Sequence, residues 1–351
     1  MDQIYTPRHD YKVLCLCYTY NQSKYIEDTL NGFAMQKTDF PFACLVIDDC
    51  SPDGEQEVIK AWLDRECDME KAEFVDLEAS HVILAPHKTN GNCTFAVYLL
   101  KRNLCGKPLK QEMIAPWRNH AEYEAMCEGD DYWIADDKLQ KQAQALDENT
   151  VIDICAHAQY YYIAGTKSKV KEKSLGSVKK IFPVEDVILG EGEYVGTNTL
   201  MIRMTCERNI PRFRQMMNYD YTLQMHGALR GGLLYLPEFM SVYSVGVPGS
   251  FCTTHKGDKV FAKKYIEQKL EMLNQLDEDT NYEHTVVIKA RKLLYTVNLN
   301  NSLCENLKNY IKYREGFGQL PFDMKKKVLI RLIFPHVLRL RLKLLEKRHK
   351  K

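Results

Sequence analysis

Two acidic pairs stand where apolar runs end. Ala125, Met126 and Cys127 lead into Glu128-Gly129-Asp130-Asp131-Tyr132-Trp133, and Ala43-Cys44-Leu45-Val46-Ile47 leads into Asp48-Asp49-Cys50-Ser51-Pro52-Asp53-Gly54. An apolar run that stops at Gly and Asp reads as a buried strand ending at a loop. Adjacent carboxylates repel, and a hard cation such as Mg²⁺ or Mn²⁺, bound through oxygen, relieves that cost. Phosphate oxygens usually complete such a site, so the pattern points to chemistry on a nucleotide diphosphate. A lone Asp pair is more often a solvated turn or a helix cap. Two pairs, each closing an apolar strand, argue for a site, because open α/β sheets bind ligands beyond the carboxyl ends of their strands.

The elements that would carry these loops alternate along the chain. Tyr11 to Cys17 reads as a strand, followed by the turn Tyr18-Thr19-Tyr20-Asn21-Gln22-Ser23. Lys24 to Met35 has helical spacing, with Tyr25, Ile26, Leu30 and Phe33 on one side and Ser23 as N-cap. Cys44 to Asp48 and Glu55 to Arg65 repeat the strand–helix order, and His81 to Ala85 is a third strand. Between Pro86 and Arg118 the residues Asn90-Gly91-Asn92, Gly106 and Pro108 suggest an irregular insertion, in which Phe95 to Leu100 reads as a short helix. Tyr123 to Glu128, Val151 to Ala158, Tyr194 to Arg203 and Leu233 to Tyr243 read as strands, and Asp136 to Leu146 and Tyr219 to Leu229 as helices. The basic, Ser-containing stretch Lys167 to Lys180 reads as a mobile loop. After Gly249 Gly and Pro become scarce, and helices are expected over 258–276, 282–313, 324–334 and 337–347. The whole predicts an α/β sandwich with parallel pairing over residues 1–250 and a helical region over 251–351.

Bulk properties narrow the classes. A chain of 351 residues has room for a large core plus an accessory region. Lys plus Arg is 48 against 47 Asp plus Glu, so charge gives no argument for nucleic acid, and none is expected as a partner. The balance hides an asymmetry: Pro321 to Lys351 carries 11 Lys or Arg against Asp323 and Glu346, a net of +9, which leaves about −8 (1 − 9) on the remainder. Twelve Cys show no Cys-x-x-Cys and no zinc-like spacing; Cys15, Cys17, Cys44, Cys127 and Cys155 lie in apolar runs as small buried hydrophobes. The start is polar, without the pattern of a secretory leader, and no run of about 18 apolar residues would span a membrane. A reducing, cytoplasmic setting is expected.

Taken in order, Cys17-Tyr18-Thr19-Tyr20-Asn21, Val46-Ile47-Asp48-Asp49-Cys50-Ser51 and Glu128-Gly129-Asp130-Asp131-Tyr132-Trp133 resemble family 2 glycosyltransferases of the GT-A fold, of the bacterial capsule, exopolysaccharide or O-antigen type. The resemblance spans roughly residues 10 to 250. It implies a nucleotide-diphospho-sugar transferase α/β/α sandwich with a C-terminal helical extension. It also implies roles: Tyr18, Tyr20, Asn21 and Asp49 hold the nucleotide base, and Asp130 lies near the ribose or diphosphate. Asp131 takes the divalent metal, Mg²⁺ or Mn²⁺. The family's Asp-x-Asp is replaced here by Glu128-Gly129-Asp130-Asp131, with Glu128 left to orient its neighbours. The catalytic base implied is Asp220, in Asn218-Tyr219-Asp220-Tyr221, which departs from the family's Asp-Trp or Glu-Asp; a plain first-turn acid is its bland alternative. The donor would be a UDP-sugar, and the acceptor a glycan or lipid-linked glycan in surface polysaccharide synthesis.

Weaker candidates remain beside simpler readings. His255 follows a Gly-containing loop, Asn90-Gly91 suits a turn, Thr197-Asn198-Thr199 interrupts an apolar strand, and Trp133 suits packing. In the tail, Val328 to Phe334 and Val337 to Leu345 interleave apolar residues with Lys and Arg, which fits either an anionic membrane surface or a helix packed on the protein. A peripheral position on the inner face of a membrane would follow from the first. Two rival functions are weighed. A nucleotidyltransferase would carry a Gly-rich basic loop where Tyr18-Thr19-Tyr20-Asn21 stands, and a non-catalytic sugar-nucleotide-binding or assembly protein would not need Asp49, Asp131 and Asp220 together.

Overall fold

Strand and helix alternate from the start, as the apolar runs predict. A computed structural model describes residues 4–166, 168–217, 219–255, 257–299 and 303–333. The order is β1 (Tyr11–Thr19), α1 (Ile26–Ala34), β2 (Phe42–Asp48), α2 (Glu55–Glu66), β3 (Glu73–Asp76), β4 (Ser80–Pro86) and β5 (Cys93–Leu100). Then come α3 (Pro108–Asn119), β6 (Ala121–Met126), β7 (Tyr132–Trp133), α4 (Lys138–Asp147), β8 (Ile154–Ile163), β9 (Ser168–Lys173) and β10 (Lys180–Phe182). After them lie α5 (Val184–Gly190), a 3₁₀ turn (Thr197–Thr199), β11 (Met201–Arg203), α6 (Thr205–Arg208), α7 (Arg212–Met216), α8 (Asp220–Leu229) and β12 (Leu233–Val245). Helices α9 (Phe251–Thr254), α10 (Lys259–Asp279), α11 (Thr285–Leu299), α12 (Leu303–Phe317) and α13 (Phe322–Ile333) complete the described chain.

The chain packs as two units. The first takes residues up to 183 with 192–209 and 226–254, and holds one sheet ordered β10-β12-β8-β11-β6-β1-β2-β5-β4-β3. Strands β6, β1, β2 and β5 run parallel at its centre. β2 is buried along its whole length, as a parallel strand covered on both faces must be. Val13, Cys15, Cys44 and Val46 face Phe33, Trp62 and Leu139 on one side, while Leu14, Leu16, Leu45 and Ile47 share the opposite core with Ile114 and Trp117. From β1 the chain steps outward to β2 and β5, then returns to lay β6 on the other flank of β1. That reversal is a topological switch point, where the loops after β1 and β6 diverge and leave a crevice. β12 runs parallel to β8 but slips register twice, between Leu236 and Phe239 and between Phe239 and Ser241.

The second unit joins 184–191, 210–225 and 255–351. Glu191, at φ 62°, is fixed by Lys269, Arg291 and Tyr295. Gly316 lets α12 lie on α11: a Cβ there would stand 2.1 Å from Ala290 N.

Several expectations are corrected. Phe95–Leu100 is not a short helix but most of β5, paired with both β2 and β4. A short apolar run has no period that separates helix from strand, and here the two partner strands decide. The insertion does contain a helix, α3, with Pro108 at its start and Pro116 inside. Lys167–Lys180 is not simply a loop: 168–173 pair with β8, and its Lys and Ser lack an apolar alternation because the strand is exposed. Only Met201–Arg203 of the expected strand 194–203 pairs, and the expected helix 282–313 spans all of α11 and the start of α12. The tail helix at 337–347 lies outside the described residues.

Candidate active site

Loops after β1, β2 and β6 meet at one edge of the sheet. Glu55, fully buried at the first position of α2, ties the first two together. Its carboxylate accepts from Gln22 N at 2.9 Å and Ser51 Oγ at 2.8 Å, and from the Thr19 hydroxyl. Alongside, Asn21 N donates to Ser51 Oγ at 2.9 Å and Ser23 N to Asp53 Oδ2 at 2.9 Å. Asn21 (φ 62°) and Cys50 (φ 61°) take the left-handed conformation, which tight turns at ligand sites often require.

The acidic loop locks onto this pair. Gly129 N donates to Tyr18 O at 3.1 Å, and Thr29 Oγ1 donates to Asp131 O at 2.6 Å. Gly129 passes so near β1 that a Cβ would fall 2.2 Å from Thr19 Oγ1 and 2.6 Å from Gln22 Oε1. Asp131 is buried, its Oδ1 accepting from Ser244 N at 2.8 Å and its Oδ2 from Asn198 Nδ2 at 3.0 Å. Burial, then the charge of Asp130, push the Asp131 carboxyl well above the usual range, against the pull of Ser244 and Asn198. Burial raises Asp130 as well, while the Gln22 amide pulls it down.

Such a pair suits a divalent cation. Its donors are hard oxygens, and carboxyls driven toward protonation by burial and mutual repulsion are those a cation would return to their ionised form. Among the described residues no group of three His, Cys, Asp or Glu forms a complete cation site, so donor phosphates would have to finish the coordination.

The other expected residues divide. Asp49 is buried at the end of β2, and its carboxylate is already engaged: Oδ1 accepts from Leu104 N at 2.5 Å and Oδ2 from Lys110 Nζ at 2.6 Å. Lys110 also lies 5.3 Å from the centroid of the Tyr18 ring, and burial pushes the Tyr18 hydroxyl up to about 12. Tyr20 is 49% exposed in the first loop, beside Asn21. Asp220 opens α8 in the second unit and accepts from Tyr221 N at 2.8 Å. His255 stacks on Phe261 at 3.7 Å, also in that unit. Trp133 packs against Phe33 and donates to Asn198 O at 3.0 Å. Asn90 lies at the beginning of β5, at the opposite end of the sheet, and pins Ala34 O and Gln36 O at 2.9 and 2.8 Å. Sequence reasoning missed Glu55, Gln22, Lys110 and Ser244. Ser244 acts through its backbone, which carries no side-chain signal.

Residues 16–78, from within β1 through β3, match the sequence model described as Glycosyl transferase family 2. Uncharacterized proteins of Mycobacterium bovis and Mycobacterium tuberculosis are 29% identical over 227 residues, 64% of this chain and 56% of theirs. The chain thus spans little more than half the length of these relatives. Among solved structures, S. aureus TarS 1-349 in complex with UDP aligns with a TM-score of 0.45 at 15% identity, over 88% of this chain and 91% of that one. The mannosyltransferase PcManGT from Pyrobaculum calidifontis, in complex with GDP-Man and Mn2+, aligns with a TM-score of 0.42 at 12% identity, over 97% and 90%. The family match covers the two loops that Glu55 joins, and it supports a family 2 glycosyltransferase.

Proposed function

We propose that this chain is a glycosyltransferase that moves a sugar from a nucleoside diphosphate to a hydroxyl of a glycan acceptor. The observation that carries this reading is the buried Asp130–Asp131 pair, whose loop lies against the end of β1 and the turn after it, residues that fall within the stretch 16–78 matching family 2. The loops with Tyr18, Tyr20, Asn21 and Asp49 take the nucleotide, Asp130 lies toward the ribose or diphosphate, and Asp131 holds Mg²⁺ or Mn²⁺ together with donor oxygens. When bound, such a cation supplies Lewis-acid stabilisation of a departing diphosphate. Asn198 and the Ser244 amide fix the orientation of the Asp131 carboxylate. Asp220 removes the proton from the acceptor hydroxyl in an inverting transfer.

Uridine diphosphate is the donor nucleotide in this reading. The acceptor is a lipid-linked glycan of bacterial surface polysaccharide synthesis, reached at an anionic membrane face through the basic segment 321–351. No helix among the described residues is long and apolar enough to cross a membrane.

Thermal unfolding against a panel of nucleoside diphosphates and nucleotide sugars, with and without Mn²⁺, is the test. A ligand at 100 times its dissociation constant adds about 2.7 kcal/mol of stability. Stabilisation by one nucleotide, dependent on Mn²⁺ and lost in Asp131→Ala, is expected. A folded protein that responds to no nucleotide would remove the reading. Asp220→Asn should keep nucleotide binding and lose about 10²–10⁴ in turnover. Near-normal turnover would move the base elsewhere.

A further inference from the structure

Beyond the acidic loop, the same sheet carries an aromatic and cationic face that none of these roles uses. β12 meets Asp131 at Ser244, and its register sets Ser241 beside Gln159 and Tyr243 beside Tyr161 on β8. β8 pairs in turn with β9, where Tyr161 meets Lys171. The Tyr161 and Tyr243 ring centroids are 5.0 Å apart, and Lys171 Nζ lies 4.2 Å from the Tyr161 centroid. Gln159 Nε2 donates to the Tyr161 hydroxyl at 3.3 Å. Asn198, which holds Asp131, accepts from Ser241 Oγ at 3.2 Å. A continuous row therefore links the Asp131 carboxylate, through Asn198 and Ser241, to Tyr161, Tyr243 and Lys171. With neighbouring strands ~4.8 Å apart, β9 lies about 10 Å from β12, farther than one sugar ring reaches.

The charge along this edge is one-sided. β9 carries Lys169, Lys171 and Lys173 against a single acid, Glu172, and Glu172 is paired with Lys169 above Tyr160. Lys171 is exposed, and Tyr161 and Tyr243 are half-buried. Tyrosine rings offer flat apolar surface to the C–H faces of sugars, and an exposed ammonium at their edge attracts anionic groups.

We propose that this face is the acceptor platform, and that it selects a glycan bearing negative charge, phosphate or carboxylate, over a neutral one. This assignment rests on the glycosyltransferase reading, because it takes Asp131 as the reaction centre.

Equilibrium binding of labelled mannopentaose, phosphorylated mannopentaose and pentagalacturonate to the full chain tests it. Each anionic class is expected to bind about tenfold more tightly than the neutral one, with an advantage that fades in salt. The phosphorylated and uronate oligomers distinguish phosphate from carboxylate. Lys171→Glu should weaken anionic binding about fivefold, and Lys171→Gln by less, with stabilisation by uridine diphosphate and Mn²⁺ unchanged. Equal affinity for neutral and anionic oligomers, binding of none, or indifference to Lys171→Glu overturns the assignment. Charge-selective glycan binding without any nucleotide response would instead sink the glycosyltransferase reading, and with it the acceptor role, leaving only a charge-selective glycan-binding face.

Discussion

Glu55 occupies the first position of α2, where a carboxylate ordinarily earns only the small benefit of facing the helix dipole. Here it is the acceptor for Thr19, Ser51 and the Gln22 amide. Glu55→Ala leaves those donors unpaired and should cost about 3 kcal/mol, read as a lower urea midpoint, with Glu55→Gln recovering part. Sequence offers little hint of this, because Thr19 and Gln22 lie 36 and 33 residues from Glu55 and meet it only once β1 and β2 pair. Lys138 was hidden differently. It neighbours the inward Leu139, yet it is buried itself, 4.0 Å from the centroid of the Trp133 ring and 2.7 Å from Gln142 Oε1. Burial pushes its ammonium down from the ordinary 10.5 to about 8. The fold prefers the neutral amine, so its penalty is full below about pH 8 and lifts as pH rises from about 8 to 10.5, where only the unfolded chain keeps the proton. Urea-unfolding free energies should therefore rise by about 3 kcal/mol across that window relative to Lys138→Met. The acidic pair has the opposite sign. Its raised carboxyls hold protons that the unfolded chain releases, so the pair's contribution to ligand-free stability is greatest in acid and falls as pH climbs through the raised folded values. Asp130→Asn should flatten that fall; an unchanged pH profile would mean that the two carboxyls do not repel.

Strands that pair in parallel and bury both faces were the readily legible elements. β1 and β2 lie close to their expected places because largely apolar runs leave little else for them to be, and β6 and β12 do so although Glu122 and Glu124 interrupt one and Pro237-Glu238 the other. β5 and β9 were misread for opposite reasons. β5 is apolar enough for either helix or strand, and β9 is too polar to signal a strand at all. Both are specified by neighbours far away in sequence. The acidic run stood out in the sequence, whereas the fit of its loop against β1 did not. Gly129→Ala tests that fit. The added methyl must displace Thr19 or Gln22, at a cost of about 1–3 kcal/mol, and should abolish Mn²⁺-dependent nucleotide stabilisation while the protein stays folded. Unaltered nucleotide binding would show that the two loops can separate without loss.

At the scale of the chain, composition foretold thiols better than it foretold boundaries. All 11 described cysteines are free, most of them buried within the packed sheet and its helices. The first unit's last segment ends at Thr254, and 184–191 and 210–225 group with the later helices, which no feature of the sequence signals. Those segments are short, and only long-range packing assigns them. The charge asymmetry between body and tail belongs to this scale too. Removing residues 334–351 should reduce co-sedimentation with vesicles containing anionic lipid and leave nucleotide stabilisation as it was. Equal sedimentation of the two forms would remove the membrane role from the tail.

The slips in β12 impose a rule of parity. From Leu236 to Ser241 it advances five residues while β8 advances two, from His157 to Gln159, so three residues are absorbed (5 − 2). An odd number exchanges inside for outside. Losing one residue from this stretch would turn Tyr243 away from Tyr161 and carry the Ser244 amide off Asp131, whereas losing two would preserve both orientations. Length variation here should be read modulo two: paired gains or losses are compatible with the site, and single ones are not.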